Sequence, residues 1–385
     1  MAKPKILIPM LEAGAGHLMP ARAVRDAIEA RYPGEFQIDV VDFPKECGAY
    51  KDDYRLKHTW DRALKHPFIA RTTFRALQAI HPVSRFYLPL TYPTFLTMAT
   101  GYVAGYKPDV IFTTHFFCLS ASARARDELA GDFKVIGFVT DPFMAYTFWA
   151  EPRADLTMVA SEQAQNDLVR MGVPRERTEV RPFPINERFF DLPRTKDELQ
   201  REIGIDSSMP TMLATAGGQG IGKLTGYVEK LYKQGAKLNI IFVCGRNEEV
   251  KKRFDALSQT PSATNLLVFG FVNNMHELLY VADFSAIKAG ASATLEALMM
   301  NTPPIITDWA VAAEKPNLDY TVENDFGWWA GSEREFMTVI HDILTTDVLD
   351  RYRRNLAEAG LRTGAGEIAE YVVAEARRHA AGGRR

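Results

Sequence analysis

Residues that could move a proton or hold a phosphate cluster in two parts of this chain. The first is Gly14-Ala15-Gly16-His17, which follows a short apolar run. Glycines there let another group approach the backbone, and a helix start favours an anion. His17 could serve as a general base, donate to an oxyanion, or only cap the helix. His115, and Asp141 after Thr140, end two later strands of the same half. An acid there can orient a base or bind a hydroxyl, and a lone Asp often only caps a helix. In a doubly wound sheet His17, His115 and Asp141 would share one rim. The Gly-x-Gly lacks the third glycine of a dinucleotide fingerprint, so NAD is not indicated.

The second part is Lys288-Ala289-Gly290-Ala291-Ser292-Ala293-Thr294-Leu295-Glu296-Ala297, a strand joined to a helix through small residues. Amides at that helix start could hold a diphosphate, with Ser292 or Thr294 adding hydroxyls. Glu296 could accept from ribose hydroxyls or simply complement the helix dipole. Gly217, Gly218 and Gln219 would face the same crevice from another strand–helix turn. No Asp-x-Asp closes a strand, so a Mg²⁺-bridged nucleotide-sugar site and a resident metal are not expected.

The elements that must position these groups alternate. Strands are expected at Lys5–Met10, Ile38–Phe43, Asp109–Thr114, Lys134–Thr140 and Leu156–Ala160, and again at Met212–Thr215, Leu238–Cys244, Leu266–Phe269, Phe284–Ile287 and Pro304–Thr307. Helical stretches between them give an α/β chain of parallel sheets. The run Arg181-Pro182-Phe183-Pro184-Ile185-Asn186 reads as a domain exit. From Glu333 the chain reads as helical to near a basic tail. At 385 residues, and roughly 100–200 per domain, two domains are expected: 1–190 and 200–365, with a helix and tail at 366–385.

Composition narrows the function. Hydrophobic residues are 46% and charged residues 24%, values of a globular chain. A net charge of −2 gives no global field for nucleic acid. Three distant cysteines fit a reducing compartment, and the opening residues break too soon for a signal peptide. One region departs from the alternating rhythm. Residues 51–86 carry eight Lys/Arg against three Asp, with Trp60, Phe68 and Phe74 interleaved. They form either a solvated face or an amphipathic surface for anionic lipid, through Lys57, Trp60, Arg62, Lys65 and Phe68.

Gly14-x-Gly16-His17, Lys107-Pro108-Asp109-Val110-Ile111, Thr140-Asp141, Gly270-Phe271-Val272 and Lys288-Ala289-Gly290…Glu296-Ala297 together resemble the processive diacylglycerol glycosyltransferases and monogalactosyldiacylglycerol synthases. The resemblance spans roughly residues 5–330. It implies a GT-B fold of two Rossmann-like domains facing across a cleft. It also implies an inverting glycosyltransferase without metal or cofactor, peripheral on the cytoplasmic side of the membrane. The C-terminal half would bind a UDP-sugar through Gly217, Gly218, Gln219, Arg246, Phe271, Val272, Gly290, Ser292, Thr294, Glu296, Glu314 and Asn317. The N-terminal half would bind diacylglycerol or a glycolipid, with Gly16, His115, Tyr146 and Trp149 on the acceptor side. Either His17 or Asp141 would be the base. Departures fall at Ala291 and Ser292, where the family has Pro and Gly, at Ala313 for Gln, and at Tyr146 for His. Two other activities fit the same architecture: a UDP-sugar 2-epimerase, and a non-catalytic lipid- or nucleotide-binding relative.

Overall fold

The computed structural model describes residues 3–65, 67–79, 87–215 and 222–382. They form two six-stranded sheets in which every pairing is parallel. The first holds β1 (Lys5–Met10), β2 (Gln37–Asp42), β3 (Val110–Thr113), β4 (Lys134–Phe138), β5 (Leu156–Val159) and β6 (Thr178–Val180), in the order β2-β1-β3-β4-β5-β6. Helices cover both faces of such a sheet, so its central strands are apolar throughout. Accordingly Ile6, Leu7, Ile8, Val110, Ile111 and Phe112 are fully buried.

The second sheet holds β7 (Thr211–Thr215), β8 (Asn239–Val243), β9 (Asn265–Phe269), β10 (Phe284–Lys288), β11 (Pro304–Asp308) and β12 (Trp328–Trp329), in the order β12-β11-β10-β7-β8-β9. The order of strands reverses once in each sheet: between β1 and β3 in the first, between β7 and β10 in the second. Crevices beyond the carboxyl ends of such strand pairs are where open α/β sheets bind ligands. Two short edge strands, β6 and β12, escape the sequence reading.

The chain divides into two compact units. One comprises Met1–Glu187, Val311–Ala313 and Thr363–Arg385; the other comprises Arg188–Ala310 and Glu314–Arg362. The stretch after Glu333 is three helices, Glu333–Thr345, Val348–Ala359 and Ala365–Gly382. Extended backbone at Thr346 ends the first, and Gly360, at φ 57°, ends the second. The helix Ala365–Gly382 is no separate segment. It completes the first unit, packing against the helix Ala15–Arg31 and burying Ile368, Val372 and Val373. The returning chain is pinned where it re-enters. The Ile185 N–H donates to Thr363 Oγ1 at 2.9 Å, the Thr363 hydroxyl donates back to the Ile185 carbonyl at 2.5 Å, and the Gly364 N–H donates to the Phe183 carbonyl at 3.1 Å.

The basic region is helical, over Tyr50–Lys65 and Pro67–Ala79. Asp52 is buried there, and it accepts the Phe95 N–H at 2.9 Å, serving the start of the helix Pro93–Tyr106. Lys57 requires a correction. Its ammonium lies 2.5 Å from Asp42 and 2.6 Å from Asp53, so two carboxylates already claim the charge expected to face lipid. Arg55 is likewise paired with Asp52. No helix among the described residues is long and apolar enough to cross a membrane.

Candidate active site

In the first unit, Gly14 takes φ 100°, a conformation costly for any residue with a Cβ. The helix Ala15–Arg31 starts directly after it and places His17 in its first turn. The His17 Nδ1 lies 2.6 Å from the Thr114 carbonyl oxygen and 3.0 Å from Thr140 Oγ1. A carbonyl can only accept, so Nδ1 carries the proton and Nε2 keeps its lone pair. The Thr114 hydroxyl donates to the His17 carbonyl at 2.7 Å, tying the helix start to the end of β3. Burial lowers the His17 pKa to about 4, so the ring is neutral near pH 7.

His115 meets the His17 ring edge to face at 4.5 Å. Its Nδ1 accepts the Phe117 N–H at 3.2 Å and so caps the helix Phe116–Glu128. Burial, and then the neighbouring His17, hold its pKa well below the usual value. Asp141 Oδ2 accepts the Trp149 indole N–H at 3.1 Å. Trp149, expected to face the acceptor, is fully buried and instead holds Asp141 in place. Tyr146 stacks on Phe74 at 4.0 Å, and burial raises its phenol pKa well above the ordinary value.

His17, His115 and Asp141 all line one cavity of about 500 Å³. The rest of its wall is largely apolar, including Leu56, Trp60, Ile69, Phe74, Phe116, Tyr146 and Phe148, with Arg62 also present. The Trp60 indole nitrogen also lies near Gly14, 3.9 Å from where a Cβ would stand, and so flanks the glycine turn. Gly16 is exposed one residue before His17. Phe68 and Ile69 are 78% and 61% exposed on the second basic-region helix. The Lys65 side chain lies outside the described residues.

In the second unit, Gly290 precedes the helix Ala291–Met299 and no side chain caps it. The first amides are left for another acceptor. Ser292 is buried and its hydroxyl has no partner among the described residues. Thr294 is fully buried, and its hydroxyl also has no partner among the described residues. Asn317 is buried and its amide donates to the Ala289 carbonyl at 2.8 Å, while its Oδ1 has no partner among the described residues. The Glu314 carboxylate accepts the Ala310 N–H at 2.5 Å and lies beside Gly290. Burial pushes the Glu296 carboxyl up to about 8. Arg246 stacks on the exposed ring of Phe271 at 5.0 Å, beside the half-buried Val272. Gly222, at φ 144°, leaves room for Lys288, whose Cε would stand 3.0 Å from a Cβ there. Gly217, Gly218 and Gln219 lie outside the described residues. Among those described, no three His, Cys, Asp or Glu side chains gather to hold a metal.

Sequence reasoning overlooked Thr114 and Thr140 as partners of His17. They lie 97 and 123 residues away, and no local spacing marks such contacts. The only available signal was that both residues follow strands of the sheet whose first strand leads into the His17 helix.

Residues 17–185 match the monogalactosyldiacylglycerol (MGDG) synthase family, and residues 211–315 match the glycosyltransferase family 28 C-terminal domain. The chain is 25% identical over 351 residues to the chloroplastic monogalactosyldiacylglycerol synthase 1 of Arabidopsis thaliana, covering 88% of this chain and 64% of that protein. It is 26% identical to a probable chloroplastic monogalactosyldiacylglycerol synthase of Nicotiana tabacum, covering 87% and 64%. The chain thus spans a little under two thirds of the length of these relatives. Among solved structures, MurG of Acinetobacter baumannii superposes with a TM-score of 0.60 at 13% identity, over 96% of this chain and 99% of that one. The UDP-GlcNAc 2-epimerase of Neisseria meningitidis gives 0.61 at 11% identity, over 98% and 100%. These two likenesses concern the fold, which is of the GT-B type with two Rossmann-like domains.

Proposed function

The chain belongs to the monogalactosyldiacylglycerol synthase and glycosyltransferase family 28 group, and from that membership we propose that it moves a sugar from a UDP-sugar to diacylglycerol or a related glycolipid, with inversion and without a metal. One observation carries the reading: an apolar cavity of about 500 Å³ with His17 and Asp141 in its wall. An acceptor with acyl chains and one free hydroxyl suits such a lining, chains against the aromatic wall and hydroxyl at the proton acceptor. His17 Nε2 takes the hydroxyl proton as that oxygen bonds to the anomeric carbon. The bond to the β-phosphate oxygen breaks with its electron pair, and UDP leaves. A single in-line displacement of this kind turns a UDP-α-sugar into a β-linked product.

The leaving diphosphate is held by the free amides at the start of the helix Ala291–Met299 and by Ser292, and Glu296 takes the ribose. The basic-region helices form the membrane contact, on the cytoplasmic face. Ile69 supports this, being both exposed and part of the cavity wall, so acyl chains have a path from bilayer to site. A panel of UDP- and GDP-sugars with detergent-solubilised diacylglycerol tests the reading, with products read by mass spectrometry. Glycosylated lipid should form together with UDP, and formation should survive EDTA. Sugar epimerisation without any acceptor, or UDP binding with no turnover, would sink it.

A further inference from the structure

The ring of His17 is held by oxygen atoms on one side only. The Thr114 carbonyl stands 2.6 Å from Nδ1 and the Thr140 hydroxyl oxygen 3.0 Å from the same nitrogen. Among the described residues no carboxylate is bonded to this ring. Two arrangements of protons are conceivable. Were Thr140 to donate to a bare Nδ1, the 2.6 Å contact with the carbonyl would set two lone pairs against each other. The short contact therefore places the proton on Nδ1, shared between two acceptors, and Thr140 receives rather than gives. Thr140 is nearly fully buried at the end of β4, and Thr114 at the end of β3, so neither oxygen is free to drift. The ring faces are fixed too, by His115 edge-on at 4.5 Å and Phe116 at 6.1 Å.

We propose that Thr140 is a positioning residue for glycosyl transfer: with the Thr114 carbonyl it clamps the Nδ1 proton of His17, commits Nε2 to the acceptor hydroxyl, and supports the charge the ring gains. This rests on the reading of His17 as the base. When Nε2 accepts the proton, both ring nitrogens carry hydrogen and the ring is a cation. The Nδ1–H bonds then become charge-assisted and stronger. Thr140 accordingly contributes more in the transition state than in the resting enzyme, and its loss should fall on kcat rather than KM.

Nitrogen-15 NMR of histidine-labelled full-length protein separates the clamp from the reaction. In the wild type the His17 signals should be those of a neutral ring protonated at Nδ1 and bare at Nε2. Thr140→Val keeps the shape and removes the oxygen. It should shift the Nδ1 resonance, while the Thr114 carbonyl keeps the proton on Nδ1, and lower kcat by about tenfold, the scale of one charge-assisted hydrogen bond. KM for the lipid should stay within about twofold. Thr140→Ser should restore both spectrum and kcat. A wild-type ring protonated at Nε2 overturns the proposal, as does a Thr140→Val enzyme with unchanged spectrum and kcat. If Thr140→Val does not fold, the wild-type spectrum and the Thr140→Ser variant still decide. A His17→Ala variant, which lacks the His17 signals, would at full turnover instead remove His17 as base, a separate failure from that of the clamp geometry.

Discussion

At the scale of single residues, burial sets the protonation of both units' key groups, and in opposite senses. His17 is held near 4 against an ordinary 6.5, so the unfolded chain binds its proton more tightly. Its contribution to stability is complete above about pH 6.5 and is lost as pH falls through 4. Glu296 is raised to about 8 against 4.5, so the folded chain binds the proton more tightly. That contribution is complete below about pH 4.5 and is lost as pH rises through 8. A carboxylate is the stronger acceptor for a ribose hydroxyl, so UDP binding near pH 7 should expel a proton from Glu296. Calorimetry in buffers of different ionisation enthalpy reads this directly, and equal apparent heats would refute it. Glu296→Ala should weaken UDP binding by about tenfold or more, the cost of a charged hydrogen bond. His17→Ala should lower turnover by roughly 10²-fold or more with UDP affinity little changed. Asp141→Ala should do the same. Near-normal turnover of either variant would take that residue out of the mechanism.

At the scale of elements, most strands were legible because parallel strands covered on both faces must be continuous apolar runs, and Ile240-Ile241-Phe242 can hardly be read otherwise. Edge strands have no such demand placed on them: β6 and β12, with three and two residues, carry no pattern. Charge was less legible than hydrophobicity. The sequence shows that residues 51–86 are basic, but not that Asp42, from another element, would take Lys57. The two readings of that region now separate by residue. Lys57→Met should leave Asp42 and Asp53 close together without a counter-ion, and should lower the thermal midpoint. It should not change vesicle binding. Arg62→Glu combined with Phe68→Ala should cut co-sedimentation with anionic vesicles, because it removes an exposed charge and an exposed ring. Equal pelleting of the double variant and wild type, at low and high salt, would leave these helices as an ordinary solvated face.

At the scale of the whole molecule, the second unit is almost entirely one continuous segment, while the first is assembled from the two sides of it. The pinned pair Ile185 and Thr363 marks where the chain leaves and returns. Removing residues 363–385 should therefore uncover the apolar side of the helix Ala15–Arg31 and destabilise the first unit. Thermal unfolding should show that unit melting early while UDP affinity persists; a single unshifted transition would contradict the assignment. The same feature has a meaning in time. A ribosome finishes residues 1–187 about 175 residues before it supplies Thr363, and at roughly 5–20 residues per second the nascent first unit waits on the order of ten to thirty seconds for its closing helix. The segment made later can complete its own fold sooner. Chains stalled just short of residue 363 should thus protect the second unit from protease before the first, and a chaperone that shields the helix Ala15–Arg31 would be most needed in that interval.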